Sequence, residues 1–221
     1  MIPVKVCGIT NVEDGKLAVN CGASAIGLIF YEKSPRYIHP EKAKEITRAL
    51  PDSISKVGVF VNSPIDSINS IIEKTGINFA QLHGDETPEF FGKIPLPVIK
   101  AMQVSDSLNL EKRLDFDVHA LLLDSYHPTQ YGGTGNTFDW TKHDWSKLEL
   151  PLILSGGIAP ENVLAGIKAL NPEAVDVNSG VETSPGKKDE EKMVAFFNVL
   201  KETKSESNIF NLETVEESSI D

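Results

Sequence analysis

Cysteine is scarce in this chain of 221 residues, which has only Cys7 and Cys21. Two thiols cannot build a disulfide framework, and neither lies in a CxxC pair or in the Cys/His spacing of a zinc site. We therefore expect a reducing compartment, here the cytoplasm. Long apolar runs are also missing, because no stretch approaches the roughly 20 apolar residues of a membrane span. The first residues do not have the pattern of a signal peptide, so none is expected.

Positive charge is in short supply as well. The 21 lysines and arginines are outnumbered by 32 aspartates and glutamates, which gives a net charge of -11. A nucleic-acid groove or an anionic membrane surface needs concentrated positive charge, so we expect neither partner. The five histidines form no HxH or HExxH pair, and the chain has no P-loop or strand-linked GxGxxG. The sequence therefore predicts no metal and no cofactor.

The composition is otherwise that of an ordinary globular chain, with 40% hydrophobic and 24% charged residues. Short runs of β-branched and apolar residues recur, and a segment with helical spacing follows each of them. The predicted strands are 4–7, 25–30, 56–61, 79–83, 98–102, 120–124, 152–155 and 175–178. This alternation indicates βαβ units, and eight units predict an α/β fold of one domain, a closed (βα)8 TIM barrel. A doubly wound open sheet has the same alternation and is the structural alternative.

Local signals mark several helix ends. Thr10 followed by Glu13 has the pattern of a capping box, in which the two side chains satisfy free N–H groups of the first turn. Prolines are expected at first helical positions, and glycines at helix ends. These residues are Pro64, Pro88, Pro160, Gly22 and Gly76.

The last helix is predicted from Asp189 to about Leu200, so the barrel domain is expected to span residues 1–200. Residues 201–221 hold two lysines against six acidic residues, with many serines and asparagines. This composition predicts a mobile acidic extension. Its apolar residues Ile209, Phe210 and Leu212 leave docking onto the domain as an alternative.

Two candidate catalytic residues stand at strand ends. The active face of a parallel barrel lies at the carboxyl ends of its strands, where Cys7 and Asp124 are expected. A thiol and a carboxyl group facing each other there could move protons on two sides of a substrate. Lys5 lies deeper on the face of Cys7 and needs an acidic partner, for which Asp176 is a candidate. Asp176 is equally plausible as a substrate contact.

Two glycine-containing loops follow the last two predicted strands. Gly156 and Gly157 come after the seventh strand, and Ser179 and Gly180 come after the eighth. Barrel enzymes often bind phosphate with backbone N–H groups at these two places, so a phosphorylated small molecule is the expected substrate. A third glycine-rich stretch, residues 131–135, is predicted to be a loop over the site.

Arg36 and His83 complete the candidates. Arg36 lies in a loop after the second strand, where its guanidinium could hold a carboxylate, although a solvated loop arginine is an equal alternative. His83 ends the fourth strand and is expected at the barrel rim, in contact with substrate or satisfied by its neighbours.

Taken together, these motifs resemble the phosphoribosylanthranilate isomerase family of tryptophan biosynthesis. The resemblance covers residues 4 to about 200 and leaves out the acidic tail. The segments that carry it are KVCGIT (5–10), GLIF (27–30), SPR (34–36), VGVFVN (57–62), QLHG (81–84), LLD (122–124), GGTG (132–135), FDW (138–140), LSGGIA (154–159), VDV (175–177) and SGVE (179–182).

The resemblance implies an aldose-to-ketose Amadori rearrangement without a cofactor. It implies that Asp124 is the general acid and Cys7 the general base, which requires a lowered pKa at Cys7. It also implies that Arg36 binds the anthranilate carboxylate and that the loops at Gly156, Gly157, Ser179 and Gly180 bind phosphate. His83 and Asp176 are expected as further substrate contacts.

Two other functions stay open from the sequence. The related sugar isomerase of the histidine pathway performs the same chemistry on a larger substrate, but its family uses a carboxylate where this chain has Cys7. A catalytically silent phosphate-binding barrel is the other alternative, and the presence of both Cys7 and Asp124 argues against it. A monomer is slightly favoured over a homodimer.

Overall fold

Parallel strand pairing closes the sheet on itself. The computed structural model describes residues 1–105, 116–125, 137–205 and 208–212. Eight parallel strands pair in chain order, and the eighth also pairs with the first. The strands are β1 Val4–Val6, β2 Ala25–Ile29, β3 Ser55–Phe60, β4 Phe79–Leu82, β5 Val98–Val104, β6 Ala120–Ser125, β7 Leu152–Leu154 and β8 Ala174–Val177. The closed barrel confirms the predicted (βα)8 TIM barrel and contradicts the open-sheet alternative.

Helices surround the barrel. In the described ranges they are α1 Val12–Cys21, α2 Pro40–Ala49, α3 Ile65–Thr75, α4 Pro88–Phe91, α5 Val163–Leu170 and α6 Glu190–Leu200. Short 3-10 helices lie at Trp145–Lys147 and Ser179–Val181, and two short antiparallel strands, β9 Glu182–Ser184 and β10 Lys187–Lys188, precede α6. No helix in the described part of the chain is long and apolar enough to cross a membrane. The glycine-rich stretch 131–135 lies outside the described residues.

Strand alternation sorts the side chains into two layers. On β1, Val4 and Val6 belong to the large apolar cluster that includes α6 residues such as Phe196. Lys5 and Cys7 point to the other side, into the barrel, because successive strand residues face opposite ways. Each strand therefore contributes half of its residues to the outer core and half to the barrel interior.

The base of the barrel interior is apolar. Its strand residues are Ala25, Val57, Phe79, Ile99, Ala101, Ala120, Leu122, Ile153 and Ala174. Several of these are the first residue of their strand, so this layer lies at the amino ends. The polar interior residues stand two strand positions further on, for example Gln81 after Phe79 and Asp176 after Ala174. The barrel interior is thus apolar at its base and polar toward the carboxyl ends of the strands.

Residues 208–212, which belong to the stretch expected to be a mobile extension, pack against this base. Ile209 and Phe210 are buried in the apolar base cluster, and the Phe210 ring meets Phe79 edge to face with centroids 6.2 Å apart. The Ser55 hydroxyl donates to the Phe210 carbonyl oxygen at 2.5 Å. The His119 Nε2 atom lies 2.6 Å from the Ile209 carbonyl oxygen. For residues 208–212 the docking alternative is therefore the one that the structure shows.

The predicted helix ends have mixed outcomes. Gly22 and Gly76 end α1 and α3 with left-handed φ values of 102° and 70°, as expected. Pro88 begins α4 as predicted, whereas Pro64 lies one residue before the first turn of α3.

The other two predicted helix starts are wrong. The side chain of Asn11 caps α1, while the Thr10 hydroxyl donates to the Gly186 carbonyl oxygen. Helix α5 begins at Val163 rather than at Pro160. Asn162 bridges the preceding turn instead, since its side chain accepts from the Ala159 N–H and donates to the Gly157 carbonyl oxygen.

The docked segment predicts a stability effect. We expect Phe210→Ala to lower the free energy of unfolding by about 3 kcal/mol, because it removes a buried aromatic ring from the barrel base. Urea denaturation followed by circular dichroism measures this change. Leu212→Ala is the matched control, since Leu212 only borders the base cluster, and it should cost less than about 1 kcal/mol. Equal stability of Phe210→Ala and the wild type would show that the segment does not contribute in solution.

Candidate active site

A cavity opens at the carboxyl ends of the strands, as the barrel rule predicts. It encloses about 660 Å³, including the space at its mouth. Of the nine residues predicted from the sequence, eight line it, and they are Cys7, Arg36, His83, Asp124, Gly156, Gly157, Asp176 and Ser179. Gly180 does not line the cavity. It packs behind the loop after β7, where a Cβ atom would clash with the Ile158 carbonyl oxygen.

Asp124 lies near the end of β6 and is only 3% exposed. Its Oδ1 atom accepts from the Ser125 backbone N–H at 2.8 Å. Its Oδ2 atom lies 3.2 Å from the His83 Nε2 atom. Gly156, with φ of 80°, leaves room for the carboxyl group, since a Cβ atom there would lie 2.9 Å from Oδ1. Backbone and ring thus fix the orientation of the Asp124 carboxyl group.

His83 is held between two side chains. One ring nitrogen faces Asp124, and the other, Nδ1, lies 3.1 Å from the Gln81 Nε2 atom. The 3.2 Å contact with Asp124 is within ion-pair distance but is not aligned as a hydrogen bond, so Nε2 has no hydrogen-bond partner among the described residues. Catalytic hydrogen bonds often tighten only when substrate binds. Sequence reasoning missed Gln81, although strand alternation places residues 81 and 83 on the same face.

The other wall carries Cys7 beside a buried ion pair. Lys5 is fully buried, and its Nζ atom lies 2.8 Å from the Asp176 Oδ1 atom. The Ser155 hydroxyl donates to the Asp176 Oδ2 atom at 3.1 Å. This pair confirms that Asp176 is the partner that a buried Lys5 needs. Asp176 also lines the cavity, so its position agrees with both expected roles, as the partner of Lys5 and as a substrate contact.

The charges around Cys7 do not produce the lowered pKa that the base role was expected to require. Burial raises the pKa of the Cys7 thiol above its ordinary value, and the Asp176 carboxylate adds to this increase. The Lys5 and Lys188 ammonium groups act in the opposite direction but do not overcome burial. Although burial alone would lower the pKa of Lys5, the Asp176 carboxylate raises it. Lys5 is therefore a permanent cation beside the thiol.

Arg36 is buried rather than solvated. Its Nε and Nη2 atoms hold the Glu182 carboxylate, with distances of 3.0 Å from Nε to Oε1 and 2.8 Å from Nη2 to Oε2. Lys188 approaches the same carboxylate, with Nζ 3.0 Å from Oε1. Although burial would raise the pKa of Glu182, hydrogen bonds from Arg36 and the charge of Lys188 lower it. Glu182 is thus a fixed carboxylate that orients the Arg36 guanidinium at the cavity wall.

Sequence reasoning assigned no role to Glu182 or Lys188. Arg36 and Glu182 are 146 residues apart, so no local spacing connects them. Glu182 comes shortly after Ser179 and Gly180, whose loop is predicted to bind phosphate. Its position next to a predicted binding loop was the available signal.

The loop after β7 offers backbone donors to the cavity. Gly156 and Gly157 both have left-handed φ values, 80° and 64°, which side chains rarely adopt. Their backbone N–H groups donate to no acceptor in the described ranges of the chain. Successive free N–H groups of this kind form a concave site for an anion.

The fold and the cavity together define the class of protein. A closed parallel barrel with a buried thiol, a buried carboxyl group and a glycine loop around one cavity is a (βα)8-barrel enzyme built for proton transfer on an anionic substrate. A family model described as N-(5'-phosphoribosyl)anthranilate (PRA) isomerase matches residues 4–199. The chain belongs to this family, whose members are isomerases of tryptophan biosynthesis.

Similar proteins agree with this membership. The N-(5'-phosphoribosyl)anthranilate isomerase of Pelobacter propionicus is 45% identical over 207 residues, which cover 94% of this chain and 99% of the relative. A crystal structure of the Thermotoga maritima phosphoribosyl anthranilate isomerase has 42% identity and a TM-score of 0.84, covering 91% of this chain and 99% of that one.

A second solved phosphoribosyl anthranilate isomerase is described in complex with reduced 1-(o-carboxyphenylamino)-1-deoxyribulose 5-phosphate. It is 41% identical with a TM-score of 0.81, covering 91% of this chain and 99% of that one. These findings confirm the family resemblance and decide against the histidine-pathway alternative.

Proposed function

We propose that this chain converts N-(5-phosphoribosyl)anthranilate to 1-(2-carboxyphenylamino)-1-deoxyribulose 5-phosphate with Asp124 as general acid and Cys7 as general base. The observation that carries the assignment is that both groups line one cavity, Cys7 just after β1 and Asp124 near the end of β6, and these two strands are not neighbours. A substrate between them meets an acid on one side and a base on the other. This is what an aldose-to-ketose isomerisation needs.

The acid acts first. Asp124 gives its proton to the furanose ring oxygen as the bond between that oxygen and C1 breaks. The nitrogen lone pair forms the new C1–N double bond, which leaves an open-chain Schiff base. The Ser125 N–H and the His83 ring, which contact the two carboxyl oxygens, stabilise the carboxylate that remains.

The base acts on the neighbouring carbon. The Cys7 thiolate removes the proton from C2, and the C–H electron pair forms the C1–C2 double bond while the C1–N π electrons return to nitrogen. The resulting enolamine becomes the ketone when the C2 hydroxyl loses its proton and C1 gains one. Two protons are added and two removed, so the reaction needs no oxidant and no reductant. The neighbouring Lys5 ammonium stabilises the thiolate.

Substrate binding uses the rest of the cavity wall. The side of the Arg36 guanidinium that does not hold Glu182 is assigned to the anthranilate carboxylate. The backbones of Gly156, Gly157 and Ser179, supported by Gly180 behind them, are assigned to the phosphate. His83 and Asp176, which line the cavity, are assigned as further substrate contacts.

The same proposal covers the cellular location and the oligomeric state of the protein. The base chemistry needs Cys7 as a free thiol, which fits the reducing cytoplasm expected from the sequence. A monomer fits the barrel base, because Ile209 and Phe210 of the same chain cover its apolar residues.

Substrate disappearance tests the function directly. N-(5-phosphoribosyl)anthranilate is generated in place from anthranilate and phosphoribosyl pyrophosphate by a transferase, and loss of its fluorescence is followed after this protein is added. We expect a loss rate that scales with protein, disappears in Cys7→Ser and persists in Cys21→Ser. Cys21 is the matched control because it lies in α1, away from the cavity. No loss with protein that circular dichroism shows to be folded would overturn the proposed function.

The raised pKa of Cys7 sets the sign of the pH dependence. Because the thiolate is the reactive form, we expect alkylation of Cys7 by iodoacetamide in the Cys21→Ser background to rise from about pH 6 to about pH 9, approaching tenfold per pH unit below the thiol pKa. The pH profile of kcat/KM depends on the acid as well, because one enzyme molecule must hold both a protonated Asp124 and a Cys7 thiolate. An alkylation rate that does not increase with pH would contradict the raised pKa of Cys7.

A further inference from the structure

Gln81 completes a buried row of three side chains that ends at the general acid. Gln81, His83 and Asp124 are 1%, 8% and 3% exposed. The row runs from the Gln81 amide through the two ring nitrogens of His83 to the Asp124 carboxyl group, with steps of 3.1 and 3.2 Å. The protonation of His83 Nε2, which faces Asp124, therefore depends on the protonation of Nδ1, which faces Gln81.

The coupling follows from the chemistry of a neutral imidazole. One of its nitrogens carries a proton and the other a lone pair, so the partner of Nδ1 decides what Nε2 presents. If the Gln81 N–H donates to Nδ1, the Nε2–H points at Asp124 and suits its carboxylate. If the amide is rotated and its carbonyl oxygen accepts from Nδ1–H, the Nε2 lone pair suits the protonated carboxyl group.

Burial makes a glutamine at position 81 energetically costly. In the arrangement seen here the Gln81 Oε1 atom has no hydrogen-bond partner among the described residues. A buried unsatisfied oxygen of this kind destabilises the fold, and an apolar side chain would avoid this cost. An amide is also the one group of this size that is both donor and acceptor without becoming charged. The cost is explained if both faces of the amide are used.

We propose that Gln81 is a positioning residue that presents either its N–H or its carbonyl oxygen to His83 and so lets His83 match both protonation forms of Asp124. The proposal rests on the proposed function, in which Asp124 alternates between carboxyl and carboxylate in each turnover. In this change of tautomer one proton leaves Nδ1 and one arrives at Nε2, so the number of protons on the ring is the same before and after the amide turns.

Two substitutions test this role. Gln81→Met has a similar length but can neither donate nor accept, so kcat should fall about 10- to 100-fold while KM stays within about twofold. Gln81→Glu accepts but does not donate, so it should hold the proton on Nδ1 and move the acid limb of the kcat–pH profile. A wild-type kcat in Gln81→Met, or an unshifted profile in folded Gln81→Glu, would overturn the proposal.

A double-mutant cycle separates positioning from simple packing. If Gln81 acts through His83, Gln81→Met should change kcat by less than about twofold in a His83→Asn background, because the ring that transmits the effect is gone. If Gln81 only fills space, the loss in kcat should be as large in that background as in the wild type. This second outcome would contradict the proposal even if the single variant is impaired.

Ring ¹⁵N chemical shifts of histidine-labelled protein give a readout that does not depend on turnover. The ring ¹⁵N shifts of His83 should differ between the wild type and the Gln81 variants. In Gln81→Glu they should indicate the Nδ1–H tautomer. Unchanged shifts in both variants would show that Gln81 does not set the ring. If the wild type lacks turnover while the shifts respond, the proposed function fails and the contact between Gln81 and His83 still holds.

Discussion

Asp124→Asn is expected to lower kcat by about 10²- to 10⁴-fold, the usual contribution of a general acid. Asparagine has nearly the same shape as aspartate, and its side-chain oxygen can still accept from the Ser125 N–H. It cannot supply a proton to the ring oxygen of the substrate. The loss should therefore appear in kcat, with circular dichroism and the urea midpoint close to those of the wild type.

Asp139→Asn is the matched control for this substitution. Asp139 is exposed and, among the described residues, its carboxylate accepts hydrogen bonds only from Thr141, so the same chemical change there should leave kcat within about twofold. If Asp124→Asn turned over substrate as fast as this control, another group would have to be the acid.

Lys5→Met is expected to have the largest effect on stability. Lys5 is fully buried against Asp176, and its removal leaves a buried carboxylate without a cation. Breaking one side of a buried pair costs about 3–5 kcal/mol in the free energy of unfolding. Cys7 would also lose a cation that holds its pKa down, so kcat/KM should fall and the alkylation of Cys7 should move to more alkaline pH.

A second substitution separates the two consequences. Asp176→Asn in the Lys5→Met background removes the unpaired charge and keeps an acceptor for the Ser155 hydroxyl. Most of the lost stability should return, measured by urea denaturation, while kcat/KM stays low at neutral pH. A Lys5→Met variant as stable as the wild type would show that the ion pair contributes nothing to the fold.

Local patterns account for the parts that were predicted correctly. Short apolar runs are visible in the sequence, and Cys7 and Asp124 end two of them, so the carboxyl-end rule of parallel barrels predicts both residues at the cavity. The glycine-based helix ends at Gly22 and Gly76 are equally local, because a left-handed residue needs no distant partner.

Distant contacts account for the parts that were missed. The guanidinium of Arg36 is oriented by Glu182 across 146 residues, and Ser55 holds the Phe210 backbone across 155. Composition correctly described residues 201–221 as acidic. It could not predict that two apolar side chains in this stretch, Ile209 and Phe210, pack onto the apolar base of the barrel. The raised pKa of Cys7 was missed for the same reason, since burial belongs to the folded chain and not to the residue's neighbours in sequence.

The position of Ile209 and Phe210 also bears on the order in which the barrel folds during synthesis. All eight strands precede these residues, so the ribosome completes the barrel before the segment that covers its base has emerged. Until then, base residues such as Val57 and Phe79 are open to water, and exposed apolar surface of this kind promotes aggregation. We therefore expect the newly made chain to depend most on protection by chaperones in the interval between the emergence of β8 and that of Ile209 and Phe210.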